Sequence, residues 1–184
     1  SVSCAAPGEC AASGYYKDAD SYQGFVVTQI GGVWGDALPV PGLEALNVGG
    51  DAFAGSVSCA APGECAAVGG YEDAAAGLQG FVVTQIGGVW GDTLPVPGLE
   101  TLNVGDDASA VSVSCAAPGE CAASGSYEDA ADSLQGFVVT QTKGVWGDAL
   151  PVPGLETLNV SDVASGDSVS CAAPGECAAS GYYK

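Results

Sequence analysis

The chain has 184 residues and a formal net charge of −19, from 22 acidic side chains against 3 lysines, with no arginine, histidine or methionine. Nucleic-acid binding draws its affinity from cationic side chains on phosphates, so this surface excludes nucleic acid and anionic membrane surfaces as partners, and no apolar stretch approaches the roughly 20 residues of a membrane span. Val, Leu, Ile and Phe make up only about 21% of the chain, near the ~20% below which highly charged sequences stay unfolded, so turns and cross-links must supplement a thin core. The first residues lack the pattern of a secretion signal, and without an initiator Met the chain reads as a processed product or a window of a longer one.

The block Ser-Val-Ser-Cys-Ala-Ala-Pro-Gly-Glu-Cys begins at Ser1, Ser56, Ser112 and Ser168, which divides the chain into repeats at 1–55, 56–111 and 112–167 and a first hairpin of a fourth at 168–184. Within one repeat, Ser1 to Cys4 alternates as a strand with Val2 and Cys4 on one face. Pro7-Gly8 supplies a turn, and Cys10 to Tyr16 returns as a second strand. An acidic loop of variable length follows, then the β-branched run Gly24 to Ile30, then a Gly31-Gly32 turn into a fourth strand carrying Val33 and Trp34. The third repeat reads Thr142-Lys143-Gly144 at that turn, which places the strict demand for positive φ on Gly32, Gly88 and Gly144 alone. Pro39 and Pro41 are expected to stop the ladder, leaving a connection from Leu43 to Gly55 with one helical turn at Leu43 to Leu46. The fold class is therefore all-β: tandem four-stranded antiparallel blade-like repeats of about 55 residues, either β-propeller-like or an open repeat array. Three full copies are too few to close a propeller, so the final hairpin is expected to seal a ring on the first copy, to dock on another protomer, or to open a fourth repeat that continues past it.

With its Ser-Cys, Cys-Ala-Ala-Ser-Gly and Gly-Val-Trp-Gly landmarks, the chain resembles the secreted tandem-repeat proteins of actinobacteria, a family of unassigned function, over its whole length. The resemblance implies propeller-like blades and an extracellular protein, and it carries over no catalytic residue.

The eight cysteines form four C-x5-C pairs, Cys4 with Cys10, Cys59 with Cys65, Cys115 with Cys121 and Cys171 with Cys177, each flanking a Pro-Gly turn. Side chains so placed meet across an antiparallel pair at disulfide distance, whereas zinc sites favour shorter spacings and usually recruit histidine. Disulfides in turn place the chain in an oxidising compartment, extracellular or at the cell surface. Trp34, Trp90 and Trp146 hold one position per repeat and read as packing residues between repeats, the rival role being a platform for sugars. Tyr15, Tyr16, Tyr71 and Tyr127 lie beside the acidic loops and are expected to be exposed, as candidates for surface contacts. Among the acidic residues Asp18, Asp20, Asp106 and Asp107 are weak calcium candidates, since no loop has the EF-hand spacing and the positions drift between repeats; solvated charge is the plainer reading, and no metal or other cofactor is expected. Asp36, Asp92 and Asp148 keep a fixed place after Trp-Gly, where an Asx turn would explain them.

Catalysis is not expected: there is no Ser-His or Cys-His pair, no guanidinium, and near-identical repeats give no carboxylate pair the unequal environments that hydrolysis of a glycoside requires. The sequence points to an extracellular, disulfide-stapled structural protein that partners further repeats or copies of itself in a filament or surface array. The alternative is a secreted module binding carbohydrate or another ligand, with glycans as partners of its tyrosines and acidic loops.

Overall fold

β-Branched and aromatic runs punctuated by Pro-Gly and Gly-Gly become a meander of antiparallel strands in the computed structural model, which describes every residue from Ser1 to Lys184. In unit 1, β1 (Val2–Ala6), β2 (Glu9–Asp18) and β3 (Ser21–Ile30) lie side by side, and β4 (Val33–Trp34) and β5 (Leu38–Pro39) share the far edge of β3 before the single turn α1 (Leu43–Leu46). Unit 2 repeats this with β6 (Ala52–Ala61), β7 (Glu64–Glu72), β8 (Leu78–Ile86), β9 (Val89–Trp90), β10 (Leu94–Pro95) and α2 (Leu99–Leu102). Unit 3 does so with β11 (Ala108–Ala117), β12 (Glu120–Glu128), β13 (Leu134–Thr142), β14 (Val145–Trp146), β15 (Leu150–Pro151) and α3 (Leu155–Leu158). Unit 4 is the single hairpin of β16 (Ala164–Ala173) and β17 (Glu176–Tyr183). The expected helical turn is in place, and no helix is long and apolar enough to cross a membrane.

Three details differ from expectation. The prolines do not end the ladder: Pro39 pairs with Phe25 at the outer edge, where a missing N–H leaves no neighbouring strand unsatisfied. Both residues of the Gly-Gly turn have positive φ (57° at Gly31, 83° at Gly32), so Lys143 enters the left-handed region at 52°. Finally, the opening strand of each later unit starts ahead of the Ser-Val-Ser-Cys block, at Ala52, Ala108 and Ala164, and bulges between Ala54 and Ser56 and at the equivalent places. The bulge fixes a glycine: a Cβ at Gly69 would fall onto the Phe53 carbonyl oxygen and crowd the Phe81 ring, its cross-strand partner.

Successive sheets stack face to face as an open array, β6 lying across β1, β2 and β3, and β11 and β16 repeating this on units 2 and 3. One core holds Ala11, Val26, Val40 and Leu43 of unit 1 against Ala54, Ala67, Tyr71, Phe81, Val83 and Trp90 of unit 2. The next holds Ala66, Val68, Val82, Val96 and Leu99 of unit 2 against the same set one period on. Adjacent residues such as Val82 and Val83 thus enter different cores, which is why these strands read as continuous apolar runs.

Candidate functional site

Chemically informative side chains concentrate between units. The outward edge of each opening strand has backbone N–H groups with no sheet partner, and the preceding unit supplies the acceptors. Val57 N–H donates to Ser1 Oγ (3.3 Å) and Cys59 N–H to Ser3 Oγ (3.0 Å). Ser56 and Ser58 receive Val113 and Cys115, and Ser112 and Ser114 receive Val169 and Cys171, at 3.0 to 3.2 Å. Thr28 of β3 is a second anchor: its Oγ1 accepts from Gln85 Nε2 (2.9 Å) and from the Trp90 indole N–H (3.3 Å), and Thr84 receives Gln141 and Trp146 in the same way. A third is Asn47, whose amide donates to Tyr22 O of its own unit (3.1 Å) while Oδ1 accepts from Glu72 N–H of the next (3.4 Å). The Pro41 carbonyl accepts from both the N–H (2.8 Å) and the hydroxyl (2.7 Å) of Thr93.

Trp90 and Trp146 therefore act as packing residues, 8% and 7% exposed, while Trp34 in unit 1 is 45% exposed. Tyr15 and Tyr16 are exposed as expected, with Tyr15 edge-on to Tyr22 at 5.8 Å between ring centroids. Tyr71 and Tyr127 are not: each is 6% exposed, because the face that carries them is the one covered by the preceding sheet. Burial pushes the Tyr71 hydroxyl above its ordinary pKa, with Asp73 and Glu100 adding to the effect; Tyr127 follows with Asp129 and Glu156.

The loop carboxylates organise their own loops. Asp129 Oδ1 accepts from Ala131 N–H (2.8 Å) and Ser133 N–H (3.1 Å), and Oδ2 accepts from Gln135 Nε2 (3.1 Å). Burial alone would raise its pKa, but these three hydrogen bonds outweigh it and hold the carboxyl below its ordinary range. Asp73 makes the same set with Ala75, Gly77 and Gln79. The calcium candidates Asp18, Asp20, Asp106 and Asp107 belong to no cluster of three metal-ligating side chains. Asp92 and Asp148 meet the preceding unit beside Gly42 and Gly98 rather than closing an Asx turn.

A cleft of about 610 Å³ lies among Tyr71, Asp73, Gln79, Glu100, Asn103 and Asp106. Its amides and the Asp73 carboxylate are already bonded to one another and to backbone: Asn103 Nδ2 donates to Leu78 O and Gln79 Oε1, and Gln79 Nε2 donates to Asp73.

Sequence reasoning passed over two contributors. Ser1 and Ser3 face away from Val2 and Cys4, and alternation alone marks that face as polar without naming its partner. Glu9, Glu64 and Glu120 cap the Gly-Gly turn of their own sheets, accepting from the N–H groups of Gly31 (2.8 Å), Gly87 (2.8 Å) and Lys143 (3.0 Å). The only available signal was their fixed place after Pro-Gly.

All four expected disulfides are present, Cys4–Cys10, Cys59–Cys65, Cys115–Cys121 and Cys171–Cys177, each between residues directly opposite in a hairpin, and no cysteine is free. No known family model matches the chain, and no curated protein matches it.

Proposed function

We propose that this is an extracellular structural protein whose units, stapled one by one, carry no chemistry of their own and whose copies continue the stack end to end into a thread. The observation that carries the reading is that the contact joining units is the same at all three junctions and has two unlike halves, N–H groups of one opening strand on the serine hydroxyls of the unit before it. Further units or copies can add through that contact, since Ser168 and Ser170, equivalent to Ser56 and Ser58, are exposed, and so is Trp34. A heterologous contact of this kind propagates unless its rotation closes a ring. Disulfides supply the cross-linking that an oxidising exterior preserves.

Support for a ligand-binding module is confined to the cleft at Tyr71, where the ring is buried and most polar groups are engaged. Sedimentation velocity over rising protein concentration tests the structural reading. Association that grows with concentration, gives threads in micrographs and weakens in Ser170→Val is expected. A compact monomer throughout would defeat it.

A further inference from the structure

Unit 2 lies between two neighbouring units, and its cleft of about 610 Å³ has the size of a small-molecule site and presents polar atoms that nothing in the protein engages. The innermost is the Tyr71 hydroxyl. The ring is packed into the core shared with unit 1 and the residue is only 6% exposed, yet the hydroxyl makes no hydrogen bond and reaches the cleft. Burial, with the Asp73 and Glu100 carboxylates adding to it, raises its pKa, so at neutral pH the hydroxyl stays protonated and can accept through oxygen while donating to a carboxylate. Around it stand Asp73, Glu100 and Asp106. Asp73 already accepts three hydrogen bonds from its own loop, whereas the Glu100 and Asp106 carboxylates accept none. No basic side chain borders the cleft, so this negative charge is uncompensated. Leu94, Pro95, Pro97 and Leu99 supply an apolar wall beside the charged groups.

These features select among ligands. A metal ion needs oxygens that converge on one point, and no three acidic side chains do so. A neutral ligand leaves the carboxylates unanswered, and an anion is repelled by them. We propose that this cleft binds an aliphatic polyamine, one ammonium donating to Tyr71 Oη and Asp73, another to Glu100 or Asp106, with the methylene chain between them lying along Leu94, Pro95 and Pro97. Carboxylates set apart across an apolar wall match cations set apart on an apolar chain, and each ammonium gains charge-assisted hydrogen bonds. The neighbouring units provide less. Unit 3 keeps Tyr127, Asp129 and Glu156, but Asp162, at the place of Asp106, already accepts from the Ser133 hydroxyl (2.9 Å). Unit 1 has Gly50 at that place, an exposed tyrosine in Tyr16 and the cationic Lys17 next to it. The unit 2 cleft is therefore the tightest site. It uses none of the serine and threonine hydroxyls that join units, so it stands or falls apart from the end-to-end reading.

The test is a calorimetric titration of the full 184-residue chain with spermidine at about 0.15 M sodium chloride, where loose attraction of counterions to the −19 charge is screened beyond about 8 Å. Saturable binding is expected. Tyr71→Phe keeps the ring and the net charge and removes a hydroxyl that holds nothing in the fold, so it should leave the melting midpoint unchanged and weaken the tightest site about tenfold. Glu100→Gln, at an exposed position, should weaken it by a similar factor, and butylamine, with a single ammonium, should bind at least about tenfold more weakly than spermidine. Absence of saturation, or binding indifferent to both Tyr71→Phe and Glu100→Gln, overturns the proposal, since general counterion attraction would behave so. Displacement of spermidine by calcium chloride at equal ionic strength also overturns it, because the carboxylates would then be gathering a metal ion.

Discussion

Ser13, Val68, Ser124 and Ser180 occupy one position in successive units, and the middle two are wholly buried in equivalent cores. Val68 packs there without penalty, whereas the Ser124 hydroxyl has no hydrogen-bond partner. An orphaned buried hydroxyl costs about 1–3 kcal/mol of desolvation, and valine would add apolar contact in its place. The repeat has in effect already tried the substitution, so Ser124→Val should stabilise the chain by about 1 kcal/mol. Thermal unfolding checks this, and a lower midpoint for the variant would show that the hydroxyl finds water or that the site in unit 3 has no room. Ser13 has the same orphaned hydroxyl and offers an independent repetition.

At the scale of elements, the hairpins were legible because their determinants are local. Pro-Gly sets the first turn with Gly8 at φ 78°, the cysteines flank it symmetrically, and Leu43 to Leu46 between Pro41-Gly42 and Asn47 leaves space for one helical turn. The burial of Tyr71 and Tyr127 was illegible because it depends on which face the neighbouring unit covers, and proximity to an acidic loop says nothing of that. The serine ladder was illegible for the same reason, since its partner lies 56 or 57 residues away. Each disulfide removes about 2.4 kcal/mol of unfolded-state loop entropy by the ring-closure relation, whichever unit holds it. Packing differs: Cys65 is buried in the first core and Cys177 is exposed on β17. Replacing Cys59 and Cys65 together by alanine should therefore lower the melting midpoint more than replacing Cys171 and Cys177. Equal or reversed losses in calorimetry would mean that the stacking of units contributes little to holding the central hairpin.

Across the whole molecule the decisive quantities are charge and the number of units. Stacking is nearest-neighbour, so each added unit buries one more face, and the interior sheet of unit 2 is buried on both sides while β17 is bare. Opposing this, every copy brings a net charge of −19 to any end-to-end contact. The proposed contact would repeat the junctions between units, which consist of serine hydroxyls, amide N–H groups and apolar side chains and hold no ion pair that salt could break. Raising ionic strength shortens the screening length from about 30 Å at 0.01 M to about 8 Å at 0.15 M, which damps repulsion between whole copies and leaves the contact intact. Self-association should therefore strengthen with sodium chloride. Because no three acidic side chains converge on a common point, calcium chloride at equal ionic strength should act as a screening salt with no further gain. Light scattering across both salt series measures this. Association that weakens with sodium chloride would require ion pairs at the contact, and a sharp rise confined to calcium would require carboxylates from two copies to meet at their junction.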